Sequence, residues 1–138
     1  MAAGCKTTHS EANPAEFASV CITGKSPQQI ASATTKAFHA EGYSGGQERS
    51  GQLVFDKRAS AGTTFIYEGM VAAGEGNHTV YRARVDIVPM DDGAHRLQCQ
   101  AYIVKNAGDS VFEDQIPMRR ASGPIYQDIL KKAARQLQ

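Results

Sequence analysis

Apolar residues fall into two rhythms along this chain, and each rhythm marks a kind of element. Ile30, Ala33, Thr34, Ala37 and Phe38 recur at the i, i+3, i+4 spacing of one helical face. Gln28, Ser32, Thr35, Lys36 and His39 fall off that stripe. The start is well marked: Ser26 suits the N-cap, Pro27 suits the first turn, and Gln29 stands where a capping box needs it. Gly42 suits the left-handed residue that closes the helix. Ahead of it, the apolar stretch Phe17 to Thr23 reads as a short strand with Val20 and Ile22 facing inward, ending at Gly24-Lys25.

From Gly51 onward the period is two. Leu53 and Phe55 alternate with Gln52 and Asp56; Phe65, Tyr67 and Val71 alternate with Thr64, Glu68 and Met70. Tyr81, Ala83, Val85 and Ile87 alternate with Arg82, Arg84 and Asp86, and Leu97, Cys99, Ala101 and Ile103 with Arg96, Gln98, Gln100 and Tyr102. All the inner residues are odd-numbered, as one buried sheet face requires. Asp91-Asp92-Gly93 suits a three-residue hairpin loop with Gly93 left-handed, and centring it on Asp92 sets Tyr81–Ile87 against Leu97–Ile103. A turn over Ala73–Asn77 centred on Glu75 would set Glu68 opposite Arg82. Asn106 to Ala121 is polar and irregular, with Pro117 and the Arg119-Arg120 pair.

A second helix begins near Ser122-Gly123-Pro124, with the stripe Ile125, Ile129, Leu130, Ala133 and Leu137, and with Lys131, Lys132 and Arg135 suited to its C-terminal dipole. The predicted fold is α+β over residues 17–138: strand, helix, four-stranded antiparallel meander, helix. Both helices need an apolar surface and only one sheet face offers it, so both are expected on that face, leaving the other wet.

The N-terminal residues read differently. Ala2-Ala3-Gly4-Cys5 precedes a polar tract from Lys6 to Glu16, and this arrangement resembles the lipobox of bacterial lipoproteins, with Ala2 at the place where Leu is usual. The resemblance implies that Cys5 is acylated and that residues 1–16 are a lipobox remnant and flexible tether, too hydrophilic to join a core. It places the domain in the bacterial cell envelope, facing the periplasm, with the membrane as a partner through Cys5. The strand-helix-meander-helix order also resembles the helix-grip domains of envelope lipoproteins, including those of the outer-membrane barrel-assembly machinery. Gly42-Tyr43 ahead of the Gln52–Lys57 strand looks like uncharacterised proteobacterial lipoproteins.

Charge and chemistry narrow the picture further. Fifteen basic residues against fourteen acidic give a formal charge of +1, which offers no general attraction to nucleic acid. Cys5, Cys21 and Cys99 form no CxxC pair, and His9, His39, His78 and His95 show no metal-ligand spacing, so neither metal nor cofactor is expected. Cys99 belongs to the inward set and Cys21 to the outward one, so a bridge between them is disfavoured and both thiols are expected free. No nucleophile elbow or phosphate cradle is present; Gly45-Gly46 and Gly74–Gly76 read as loop glycines.

One surface remains. Arg82, Arg84 and Arg96 line up with Gln98, Gln100 and Tyr102 on the outer face, flanked by Val54, Ile66 and Met70. Guanidinium groups in such a row bind carboxylates or phosphates bidentately, and Arg119-Arg120 would extend the row. The expectation is a non-enzymatic accessory or interaction module that engages an envelope protein through Arg82, Arg84, Arg96, Gln98 and Tyr102. The alternative is a carrier whose small ligand sits between sheet and helices, lined by Tyr67, Tyr81 and Phe38.

Overall fold

Ser26 fixes where the first helix begins. In the computed structural model, which describes residues 17–58, 66–67, 70–71 and 79–138, its hydroxyl accepts the Gln29 N–H at 3.1 Å. The Gln29 side-chain oxygen in turn accepts the Ser26 N–H at 2.9 Å, completing the capping box. The elements in order are β1 (Ala18–Ile22), α1 (Pro27–Ala40), β2 (Ser44–Arg49), β3 (Gln52–Arg58), β4 (Ile66–Tyr67), β5 (Met70–Val71), β6 (Val80–Pro89), β7 (His95–Lys105), β8 (Asp114–Pro117) and α2 (Gly123–Gln136). Gly42, at φ 92°, turns the chain out of α1 as expected.

The main sheet runs β1-β7-β6-β3-β2, and β8 pairs with the far end of β7. All of its pairings are antiparallel. The fold is therefore α+β, with the meander β2-β3-β6-β7 between the first strand and the last helix. Its hairpin register is the expected one: Tyr81 faces Ile103 and Ile87 faces Leu97. Gly93 takes φ 74° in the connecting loop, and Asp92 is left-handed too, at φ 66°.

The membership of the meander differs from expectation at one strand. The segment expected from Phe65 to Val71 contributes only β4 and β5, which pair with each other in a separate two-stranded ladder. Phe55 instead faces Ala83 directly across the β3–β6 ladder, so no strand intervenes. The fourth place goes to β2, which packs on the far side of β3 through the two-residue Ser50-Gly51 turn, with Gly51 at φ 79°. Gly45 and Gly46, expected in a loop, lie in this strand. The irregular segment after β7 also holds a strand, β8.

Both helices share one core with the odd-numbered sheet positions. Ile30, Ala33, Thr34, Ala37 and Phe38 are buried from α1, against Leu53, Phe55, Tyr81, Ala83, Val85, Leu97 and Ile103. The buried Thr34 hydroxyl is satisfied by donating to the Ile30 carbonyl at 2.7 Å. From α2, Tyr126, Ile129, Leu130 and Ala133 face inward, whereas Ile125 is 43% exposed. The stripe thus begins one residue later than its hydrophobicity suggests. Gly123 explains the offset: a Cβ there would stand 2.5 Å from the Phe17 carbonyl oxygen, so the helix start is pressed against the chain entering β1.

The free edge of β1 is held by a side chain. The Ser19 N–H donates to Gln127 Oε1 at 2.9 Å, and Gln127 Nε2 donates to the Ser19 carbonyl at 2.7 Å. One amide thus satisfies both backbone groups that an edge strand would otherwise leave open. Gln127→Ala is expected to cost about 1–3 kcal/mol, because two backbone groups in a nearly closed setting lose their partner. Urea denaturation measures this, and hydrogen exchange at Ser19 should accelerate with it; an unchanged midpoint would show that water replaces the amide without penalty.

Candidate functional site

The even-numbered positions of β3, β6 and β7 form the sheet face turned away from the helices. Strand pairing sets them in rows: Ser44, Asp56, Arg82 and Tyr102 in one, Gly46, Val54, Arg84 and Gln100 in the next, then Gln52, Asp86 and Gln98. This places Arg82, Arg84, Gln98 and Tyr102 together as expected, with Arg96 beyond Gln98 along β7. Glu68, expected opposite Arg82, lies outside the described residues. Asp56 holds that place on β3 and Tyr102 on β7.

Arg82 is consequently not an open guanidinium. Its Nε and Nη2 donate to the two Asp56 carboxylate oxygens at 2.8 and 3.1 Å, and its Nη1 donates to Glu113 at 3.1 Å. The bidentate bond to Asp56, then its charge and that of Glu113, raise the Arg82 pKa further above its ordinary range. This corrects the expectation of a free arginine row. Arg82 serves as a clasp between β3, β6 and the segment leading into β8.

That segment is ordered by carboxylates. Asp109 Oδ1 accepts the N–H groups of Val111 and Phe112 at 2.8 and 3.0 Å, and Glu113 accepts the Gly108 N–H at 2.9 Å. These backbone donors hold both carboxyl pKa values below their ordinary range, with the Gln115 amide and Arg82 adding to the effect at Glu113. The turn presents Val111 and Phe112 to solvent, 75% and 68% exposed. A depressed carboxyl pKa stabilises the folded turn above the ordinary value and ceases to do so as pH falls through the folded one. The turn is therefore expected to hold above the ordinary values of 4.5 for Glu113 and 3.8 for Asp109 and to loosen below them. Amide exchange at Gly108, Val111 and Phe112 should rise there before the core amides respond. Simultaneous exchange of turn and core would contradict it.

Arg84 differs from Arg82. Its guanidinium lies over the Tyr102 ring, 5.3 Å from the centroid, and among the described residues no carboxylate pairs with it. It lines a groove of about 590 Å³ with Ser44, Gly45, Glu48, Arg49, Gln52, Val54, Asp56 and Arg82. Gly46 has open space where a side chain would stand, which keeps the groove clear above Val54. Sequence reasoning did not include Arg49 or Ser44 in the site, because β2 carries no apolar alternation to reveal it as a strand; Gln52 was read as outward on β3 but not joined to the row, because the direct pairing of β3 with β6 was not foreseen.

On the inner side, Phe38, Phe55, Tyr81 and Tyr126 fill the space between sheet and helices, each at most 1% exposed. The Tyr43 and Tyr126 hydroxyls share a 2.7 Å hydrogen bond there. Cys99 is a buried free thiol whose pKa burial pushes up, so it is inert as a nucleophile. Cys21 lies on the other face, as alternation requires, and the two are not bridged; Cys21 is nevertheless engaged in a disulfide, which corrects its expected free state. His39 Nε2 meets the Gly45 carbonyl at 2.9 Å, a structural contact joining α1 to β2. Among the described residues no group of three or more histidine, cysteine and carboxylate side chains is placed to hold a metal. No described helix is long and apolar enough to cross a membrane. Cys5 and the expected tether, with His9, Glu68 and His78, lie outside the described residues, as do the side chains of Ile66, Tyr67 and Met70.

Fold and surface together define a two-layer α+β domain with a packed inner face and a polar, grooved outer one. No family model, curated protein or solved structure matches the chain.

Proposed function

We propose that this chain is a non-enzymatic accessory module of the bacterial cell envelope, tethered by acylated Cys5, that engages an envelope protein through its outer sheet face. The observation that carries the reading is the groove beside Arg84: a recess with an uncommitted guanidinium, on a face that neither helix covers. The tether half rests on Ala2-Ala3-Gly4-Cys5 and the polar residues that follow.

Each half has its own test. Intact-mass analysis of the protein taken from its native envelope should find acyl mass on Cys5. A thioether-linked sulfur has no valence left for a disulfide, and Cys99 is free, so an acylated Cys5 requires that Cys21 form its disulfide with another chain. An intact mass of the single chain without lipid and lower by the two hydrogens that one disulfide removes would overturn the anchor. In-cell crosslinking from a photoreactive residue at Gln100 should capture a defined envelope protein, and Arg84→Glu should abolish that product. Arg84 is the informative position because Arg82→Glu would also break the Asp56 and Glu113 pairs. Capture indifferent to Arg84 would remove the outer face as the docking surface.

A further inference from the structure

We infer that the outer-face groove is a carboxylate site for a polypeptide, in which Arg84 makes the bidentate contact and Arg49 and Gln52 complete the recess. The inference deepens the docking reading and rests on it.

Three features of the groove point to this chemistry. The first is the state of its charges. Asp56 is occupied by Arg82 through both oxygens, and Asp86 accepts the Gln52 side-chain amide at 3.3 Å. Arg84 and Arg49 have no carboxylate partner among the described residues, so two uncommitted cations line one recess with Glu48 and the already paired Asp56. The second is orientation. The Arg84 guanidinium carbon lies 5.3 Å from the Tyr102 ring centroid, a cation–π contact that spends none of the N–H donors on an acceptor and leaves them for the fork that matches a carboxylate. Tyr102 therefore holds Arg84 in place before any ligand arrives, which reduces the side-chain ordering that binding would otherwise cost. The third is the rest of the lining. Ser44 supplies a hydroxyl, Gln52 an amide and Glu48 an acceptor, and the recess reaches the outermost strand β2, where Gly45 carries only backbone. Mixed donors and acceptors beside a strand edge that has no neighbour among the described residues suit a peptide backbone better than a bare inorganic anion.

The probes are N-acetyl-Ala-Ala-Ala with a free C-terminal carboxylate, the same peptide as its C-terminal amide, and acetate, each titrated into isotope-labelled protein. The free acid should shift the Arg84 Nε–H and Gln52 side-chain amide signals saturably. The amide should bind at least tenfold more weakly, and acetate should not saturate in the same range, because it lacks the backbone groups. Arg84→Gln should weaken binding at least tenfold while moving the thermal transition only slightly, since Arg84 is in no ion pair among the described residues and loses only its contact with Tyr102. Arg84→Lys should restore little, because an ammonium offers no planar fork. Equal binding of acid and amide, or full rescue by lysine, would overturn the inference, as would acetate matching the peptide. If no probe binds while crosslinked capture still depends on Arg84, the carboxylate chemistry fails and the docking surface stands.

Discussion

Phe38→Ala is expected to lower the unfolding free energy by about 3–5 kcal/mol, a large share of the 5–15 kcal/mol typical of a whole domain. Phe38 is fully buried, stacks on Phe55 with centroids 4.4 Å apart and planes 5° from parallel, and meets Tyr43 edge-on at 5.3 Å. Its ring therefore joins α1 to the sheet and to the turn entering β2. Removal leaves a cavity whose walls are strand backbone and two other aromatic rings, none of which can collapse far. Urea denaturation checks the value, with the slope also recorded so that a change in the unfolded ensemble is not mistaken for lost packing. A loss below about 1 kcal/mol would mean the core does not depend on this contact.

The second large effect is alkaline. Tyr43 is 8% exposed, and burial pushes its pKa from the ordinary 10.0 up to about 12, against an opposing effect of its hydrogen bond with Tyr126. A group whose folded pKa is raised contributes stability below the unfolded value and loses it as pH climbs through the folded one. The wild-type protein is thus expected to lose about 2 kcal/mol between pH 10 and 12 from Tyr43 alone. Tyr43→Phe lacks the titrating group, so the stability difference between the two proteins should shift in favour of the variant across that window. Parallel pH profiles for both proteins would refute the assignment.

The parts of the fold legible from sequence are those in which burial imposes a period. The α1 stripe, its capping box and the β6–β7 register follow from apolar spacing and one turn, and the structure reproduces them. β2 was hidden because Ser44-Gly45-Gly46-Gln47-Glu48-Arg49 is an edge strand exposed along almost its whole length, so nothing forces alternation on it. β8 is four residues long and largely exposed, with the same consequence. The Phe65–Val71 alternation failed for the opposite reason: a period of two shows that a segment suits a strand, not which strand it joins. The ionic clasp of Arg82 could not be read without that pairing. Asp56 and Glu113 stand on either side of Arg82 in the chain and meet it only through tertiary placement. The Ile125-to-Tyr126 offset was likewise set by a backbone approach at Gly123 that hydrophobic spacing does not record.

The two margins of the main sheet are chemically unequal. At β1, the Gln127 amide occupies Ser19, the second residue of a five-residue strand, so an incoming chain would find no uninterrupted run of backbone donors and acceptors. At β2, the outer row has no strand beside it among the described residues. Endless stacking of copies into a filament needs adhesive margins on both sides of each copy. A ladder that can lengthen at one side only reaches its limit after a single addition, and Gln127 withdraws the β1 stretch of the margin opposite β2 from such pairing.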